Sequence, residues 1–372
     1  MQSPIKSGIS VQSESGWNRF KNAVLEGGPG TCQFAINNAC NAGCDFCNFN
    51  FDKLLKDRWE FVPLSHAREA VDILHRQGIR YLIVTGGEPM MHPNYLEIIR
   101  HASEKHMSVL LVTNGSMLNE TRIQALKDHG LSSIIISIDA ASAELHEENR
   151  RLPGVCERIR RANRLLKQAG IQSIASVTMS RLIDDYAKLA PFLKDLGFEH
   201  ATFSYPLNNL NSSFLGYADS RLVEYEPEEL SEAFSRVKEL KKSFPVINPT
   251  ASLDEMQRFI HNESQLFPCL GGYKYFYLDW QLFLWRCHYW EKPMCSIYEF
   301  TDKSLIRDGC TRCMIDCYRD ASVLQHIAVS VSDAVGHARR GRIVSAVKVL
   351  FTKANYLSIK SVIENLRWIL RI

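Results

Sequence analysis

No stretch of this 372-residue chain is apolar enough to cross a bilayer. Its strongest hydrophobic runs are short, such as Ile134–Ile138, against the roughly 18 residues a span needs. The opening segment, MQSPIKSGISVQSESG, lacks the apolar core of a signal peptide. Charge of one sign is lacking too. The formal net charge of +3 leaves no global case for nucleic-acid binding, and none is expected. With 45% hydrophobic and 23% charged residues, the chain is neither disordered nor fibrous. What stands out is cysteine. Eleven thiols, an odd number in a long apolar chain, do not suit a disulfide scaffold. They point to a reducing cytoplasm, where clustered thiols hold metal.

After a polar, Gly-rich arm over 1–30, residues 31–205 alternate between two periods. Short β-branched runs predict strands at Cys32–Ile36, Tyr81–Thr85, Ser108–Thr113, Ser133–Ile138, Ser173–Thr178 and Ala201–Tyr205. Helical periodicity falls near 65–77, 94–106, 118–128, 154–169 and 183–196, and Gly78, Gly130, Gly170 and Gly197 follow helical runs. Six βα units in series predict an α/β fold with a parallel sheet, barrel-like or open. Residues 206–265 read as a loop and a charged helix near 227–243. Residues 266–320 are aromatic and cysteine-rich, with Tyr273–Tyr277 and Gln281–Arg286 predicted as a hairpin. Residues 321–372 read as helices, basic and apolar.

The loop after the first strand reads Cys40-Asn-Ala-Gly-Cys44-Asp-Phe-Cys47. Three soft thiolates so close together suit iron–sulfur or zinc. A closed zinc site needs a fourth local ligand, and none is evident. Three ligands for a four-iron cluster leave one iron open. The second strand ends in Gly86-Gly87-Glu88-Pro89, where two glycines allow close backbone approach and Glu88 adds an acceptor.

This pattern resembles the radical S-adenosylmethionine (radical SAM) enzymes. The resemblance covers residues 31–205 and implies a partial (β/α)6 TIM-type barrel whose chemistry lies on the loops after the strands. It also implies a [4Fe–4S] cluster on Cys40, Cys44 and Cys47 whose open iron chelates S-adenosylmethionine. In the family, the GGEP stretch binds the amino group of that cofactor. By the same resemblance Phe46 packs near adenine, and Thr113, Asn114, Ser137 and Asp139 lie at strand ends near the cofactor. His146 and Arg150 match the family's HxxxR pattern. Arg150 is expected to pair with the cofactor carboxylate, or else to be an exposed helical Arg. Ser176, Thr178 and Tyr205 are expected at the barrel mouth.

A second cysteine set follows. Cys269 and Cys287 enclose the predicted hairpin with 17 residues between them, then come Cys295, Cys310, Cys313 and Cys317. The arrangement resembles the twitch form of the SPASM extension, which implies one auxiliary [4Fe–4S] cluster. Its ligands would be Cys269, Cys287, Cys310 and Cys313, with Cys317 as an alternative ligand or a free thiol near the substrate; Cys317 and Tyr205 are the candidate catalytic residues. A zinc site built from four thiolates competes here. Cys32 and Cys156 are expected to be buried and inert.

The tail from Gly336 to Ile372 holds eight Lys or Arg and one Glu. Lys360, Glu364, Arg367 and Arg371 line one helical face; Ile359, Val362, Ile363, Leu366 and Leu370 line another. With Trp368 and Tyr356, this composition suits an in-plane membrane anchor through 342–372, on the inner membrane face. The competing expectation is that the apolar face packs on the barrel or on another subunit.

Function is therefore expected to be radical SAM chemistry on a small molecule, supplied with electrons by a flavodoxin- or ferredoxin-type reductant. Cys310-Thr-Arg-Cys313-Met-Ile, Gly86 to Pro93 and the Phe214-Leu215-Gly216 loop look similar to the adenosylhopene transferase branch, which favours a lipid substrate. A sugar or cyclitol dehydrogenated or epimerised in natural-product synthesis is the second expectation. A ribosomal peptide is less favoured, because no leader-binding domain is seen before the cysteine loop. A zinc-stabilised binding protein on a degenerate barrel is the reading from another class.

Overall fold

Short β-branched runs alternating with amphipathic helices assemble into one sheet with its helices on the outer face. The computed structural model describes residues 26–206 and 220–369. Strands β1 (Gly30–Ala35), β2 (Ile79–Thr85), β3 (Ser108–Thr113), β4 (Ser133–Ile138), β5 (Gln172–Thr178) and β6 (His200–Ser204) pair in chain order, all parallel. Between them run α1 (Leu64–Arg76), α2 (Tyr95–Glu104), α3 (Glu120–Asp128), α4 (Ala143–Arg150), α5 (Val155–Ala169) and α6 (Leu189–Asp195). In α5, Val155, Ile159, Ala162 and Leu166 recur at helical spacing and are fully buried. Each large apolar side chain so covered contributes roughly 1.5–3 kcal/mol.

Two helices depart from the periodicity. The expected 183–196 helix begins later, because Asp185 caps a short turn over Tyr186–Lys188 ahead of α6. Helix α4 offers no apolar period to read: only His146 and Arg150 are buried along it.

The sheet continues past β1 rather than ending there. Strand β7 (Tyr275–Leu278) pairs parallel to β1, and β8 (Phe283–Trp285) and β9 (Cys295–Ser296) follow antiparallel. The hairpin has shorter strands than expected, and residues 279–282 lie between them. Asp279 holds its turn by accepting from the Gln281 and Phe283 N–H groups and from Trp285 Nε1. Leu282 takes a left-handed φ of 65° inside that turn.

The result is an α/β partial (β/α)6 barrel, open between β6 and β9, with a C-terminal extension and C-terminal helices. Helices α7 (Pro227–Leu240) and α8 (Thr250–Ile260) follow β6, whose free edge is covered where Ala201 exchanges backbone bonds with Pro245 and Ile247. The long α9 (Asp316–Arg339) starts at the end of β6, where Asp316 Oδ1 accepts from the Tyr205 N–H at 3.1 Å. Helices α10 (Ile343–Leu350), α11 (Lys353–Glu364) and α12 (Leu366–Ile369) complete the described chain. The Phe214-Leu215-Gly216 loop, Leu370 and Arg371 lie outside the described residues.

Candidate active site

All six parallel strands point their C-terminal ends to one rim, and the cysteine loop sits there directly after β1. Cys40, Cys44 and Phe46 are buried with Ala42, Phe49 and Val223, and Cys47 packs against them. Burial pushes the Cys40 thiol up to about 12, with the neighbouring Cys47 adding to it. Burial likewise raises Cys44 and Cys47. Three thiols held in an apolar pocket ionise only if something binds their charge, which fits a metal cluster and not three free thiolates.

Helix α4 fastens this loop. The Gly43 N–H donates to the Arg150 carbonyl at 2.9 Å, and the Asp45 N–H to Asn149 Oδ1 at 3.3 Å. A Cβ on Gly43 would meet Arg151 Cδ at 2.6 Å and the Phe51 ring at 3.0 Å, so a larger residue there would have to displace those side chains.

The GGEP stretch is fastened from the other side. Gly87 N–H donates to the Asn37 carbonyl at 3.2 Å and Glu88 N–H to the Ala39 carbonyl at 2.7 Å. A Cβ on Gly87 would stand 2.2 Å from the Ala39 oxygen, and one on Gly86, at φ 140°, 2.3 Å from the Asn37 oxygen. The glycines thus let the β2 loop lie against the cysteine loop. Glu88 is fully buried and its carboxylate is occupied. Oε1 accepts from the Met90 N–H (3.1 Å) and the Thr113 hydroxyl (2.9 Å), and Oε2 accepts from the Asn114 N–H (2.8 Å). Thr113 and Asn114, expected near the cofactor, are therefore tied to the GGEP turn. Asn114 Nδ2 also donates to Asn41 Oδ1 at 2.9 Å, joining the third strand end to the cysteine loop.

Asp139 and Arg150 meet each other. Arg150 Nη2 lies 2.6 Å from Asp139 Oδ1, and Asn149 Nδ2 donates to Oδ2 at 2.8 Å. Arg150 is buried, which corrects the expectation of an exposed helical Arg. The Asp139 N–H donates to His146 Nδ1 at 3.1 Å. That bond needs an imidazole lone pair, and burial pushes His146 down to about 4.

Strand parity decides which hydroxyls face the barrel interior. Ser137 stands opposite Ser176, and Ser176 opposite Thr202, in one lateral row across β4, β5 and β6. All three are half-buried, whereas the alternate residues Ile136, Ile138, Val177 and Phe203 join the outer core. Thr178 shares the parity of Ser176. Tyr205 does not share that of Thr202: its ring stacks on Phe234 of α7 at 5.7 Å, and burial pushes its phenol up to about 12. Tyr205 at the barrel mouth is thereby corrected.

The second cysteine set converges between β7, β8 and the start of α9. Cys287 packs with Tyr275, Ile315 and Tyr318, and Cys269, Cys313 and Cys317 border the same cluster. Cys310 joins through its carbonyl, which accepts from the Cys269 N–H at 2.8 Å. Burial pushes Cys287 up to about 12 and Cys313 to about 11, with neighbouring thiols adding to both. Cys295 lies apart on β9, and Cys32 and Cys156 are buried in the outer core. Arg286 is a residue that no local pattern exposed. It forms a bidentate pair with Asp308 (2.6 and 2.5 Å), and Asp308 accepts from the Cys310 N–H. Asn41, Asn149 and Trp280, whose ring packs edge-on against Phe49 of the cysteine loop at 5.7 Å, escape local patterns for the same reason: their partners are distant in the chain.

Residues 35–193 match the model of the Radical SAM superfamily, so the chain carries a radical SAM domain. It is similar to the AdoMet-dependent heme synthase of Oleidesulfovibrio alaskensis, 30% identical over 180 residues, covering 46% of this chain and 43% of that one. It is also similar to the subtilosin biosynthesis protein AlbA of Bacillus subtilis, 26% identical over 174 residues, covering 46% and 38%. The chain thus spans less than half the length of these relatives. The solved structure "Native anSMEcpe with bound AdoMet" shares the fold, with a TM-score of 0.55 at 12% identity over 89% of this chain and 99% of that chain. Radical SAM domains use a [4Fe–4S] cluster and S-adenosylmethionine, and SPASM-type relatives carry auxiliary clusters.

The donor sets fit such groups. Among the described residues, no three Cys, His, Asp or Glu side chains close on one point tightly enough for a single ion. Two sets of soft thiolates, gathered by the loop after β1 and between β7, β8 and α9, are the donor chemistry that iron–sulfur clusters take.

Proposed function

We propose that this protein is a radical SAM enzyme with an auxiliary cluster, acting on an apolar small molecule drawn from a membrane. The observation that carries the chemistry is the three-cysteine loop locked, backbone to backbone, between GGEP and α4. Cys40, Cys44 and Cys47 would hold a [4Fe–4S] cluster, and the chemistry it would supply is one-electron reductive cleavage of the S-adenosylmethionine sulfonium, with the electron drawn from a flavodoxin- or ferredoxin-type reductant.

The chain's own residues bind and orient. Cys40, Cys44 and Cys47 hold the cluster and leave one iron position open. Gly86 and Gly87 let the β2 loop lie against the cysteine loop, and the buried Phe46 packs with Cys40 and Cys44. Glu88, Thr113 and Asn114 fix the shape of the rim without needing free polar groups. Arg150, neutralised by Asp139, keeps its loop in place and serves as a positioning residue. Ser137 and Ser176 present hydroxyls to the interior, where the substrate and the ribose would lie, while the Thr202 hydroxyl donates to Asn248 Oδ1 at 3.4 Å. Cys269, Cys287, Cys310 and Cys313 hold the auxiliary cluster, with Cys317 as the alternative ligand.

A hopanoid- or terpenoid-like substrate is supported by the outward apolar and basic surface of the C-terminal helices. The hydroxyl row favours a second reading, a sugar or cyclitol dehydrogenated or epimerised in natural-product synthesis. Work at the cytoplasmic face of a membrane suits the first; a solution substrate suits the second.

Anaerobic reconstitution with iron and sulfide, then reduction with dithionite, tests the core reading. Formation of 5′-deoxyadenosine and methionine, abolished in the Cys40/Cys44/Cys47→Ala triple variant, is the expected result. A colourless, iron-free protein that leaves the cofactor intact would overturn it.

A further inference from the structure

Helices α10 and α11 are built inside out. Along α11, the side turned to the body carries Ala354, Asn355, Ser358 and Ser361, all buried. The Ser358 hydroxyl donates to the Val323 carbonyl at 2.6 Å and accepts from the Ile327 N–H at 3.1 Å, seating the helix on α9. Leu357 packs inward beside Phe267 and Val323, but most of the large apolar residues point the other way. Tyr356 (67% exposed), Ile359, Ile363 (66%) and Leu366 recur at helical spacing on the opposite side. Helix α10 repeats the pattern: only Ala346 is buried, whereas Ile343, Val344, Val347 and Phe351 (83%) share the exposed face. An ordinary surface helix does the reverse and turns its apolar stripe inward.

Charge completes the pattern. Seven Lys and Arg from Arg339 to Arg367 are all exposed, and none enters an ion pair among the described residues. The lone acid of this stretch, Glu364, is turned back to the body, where it pairs with Lys241 at 2.6 Å and accepts from the Thr250 hydroxyl. A second copy of this chain would bring two basic faces together, which like-charge repulsion opposes. No described helix is long and apolar enough to cross a membrane. Exposed apolar faces ringed by unpaired cations match the headgroup layer of an anionic bilayer.

We propose that the outer faces of α10, α11 and α12 form an in-plane docking surface for anionic membranes, with Val347, Phe351, Ile359 and Ile363 entering the acyl boundary and Lys348, Lys353 and Lys360 meeting lipid phosphates. The inference deepens the reading of a membrane-drawn substrate, yet its test needs no turnover. A chain that binds vesicles but leaves S-adenosylmethionine intact would sink the functional reading alone. One that cleaves the cofactor but ignores vesicles would sink this one, and the membrane source of the substrate with it, while the radical chemistry stands.

Sedimentation of the full chain with phosphatidylcholine vesicles, with and without one third phosphatidylglycerol, provides the measurement. The expected result is partition onto the anionic vesicles at least roughly tenfold stronger than onto neutral ones, weakening with salt. Phe351→Ser/Ile363→Ser and Lys348→Glu/Lys360→Glu should each abolish the difference. Every substituted side chain is exposed, and unchanged thermal melts and cluster absorbance verify that the variants fold. No partition, or equal partition of wild type and variants, overturns the proposal. A lipid-free dimer that the same substitutions dissociate overturns it too, in favour of a second copy.

Discussion

Arg150 and Asp139 form a 2.6 Å ion pair that closes the gap between α4 and the end of β4, directly behind the cysteine loop. Both side chains are buried, and the Arg150 carbonyl holds Gly43 of that loop. Removing one partner strands the other charge in an apolar place, which costs about 3–5 kcal/mol. Arg150→Leu and Asp139→Leu should each lower the urea midpoint strongly and reduce iron at the first cluster. The double variant should recover part of the stability but not the iron. Equal iron loading in all three would show that the pair does not position the loop.

Gly87→Ala places a methyl group where the Ala39 carbonyl oxygen stands. Neither backbone can yield without breaking the Glu88 N–H bond to Ala39. Iron content and 5′-deoxyadenosine yield should fall by at least tenfold, a loss of about 1.4 kcal/mol or more in site formation. Gly170→Ala is the control. It has φ 77° but open space around it, so it should cost only about 1 kcal/mol and spare the site.

His146 makes stability pH-dependent. Its folded pKa is pushed down from 6.5 to about 4 by burial. Between those values the unfolded chain binds a proton that the folded chain refuses, so stability falls as pH drops through that window. The loss approaches about 3 kcal/mol at full effect. Urea midpoints measured from pH 7 to pH 4 should fall, and His146→Gln should flatten that part of the slope.

Iron counts separate the two cysteine sets. The Cys40/Cys44/Cys47→Ala triple variant should keep about half the iron of the reconstituted protein, held by the second set. Cys295→Ser should keep all of it, since Cys295 lies on β9 away from the other five thiols. No residual iron in the triple variant would remove the auxiliary cluster.

Asp308 bridges Arg286 and the Cys310 N–H. Asp308→Ala should therefore lower auxiliary iron while leaving cofactor cleavage at the first cluster within a few-fold of wild type. If both fall together, the Arg286–Asp308 pair supports the whole barrel and not one loop.

Much of the fold is legible in local order along the chain. The strands fall where β-branched runs predict them because a parallel sheet covered on its outer face needs continuous apolar segments. The three cysteines and GGEP are legible because each set is contiguous and follows a strand. Tyr205 departs from its expected place, since it sits one residue past β6 and parity turns its ring onto Phe234. Helix α4 escapes the periodicity because its job is polar: it buries one His and one Arg.

The sequence by itself determined the βα alternation, the cysteine loop with its three thiols and the basic, apolar character of the tail. These depend on neighbours in the chain, so periodicity and spacing encode them. Tertiary structure alone decided that Asp139 neutralises Arg150, that Glu88 spends its carboxylate on the Thr113–Asn114 turn, and that Arg286 reaches Asp308. Each joins residues that only the sheet or its loops bring into range. It also decided which side of α11 faces out. Helical spacing marks two faces, but only packing on α9 shows that the small hydroxyl-bearing face is buried and the large apolar one is left outside.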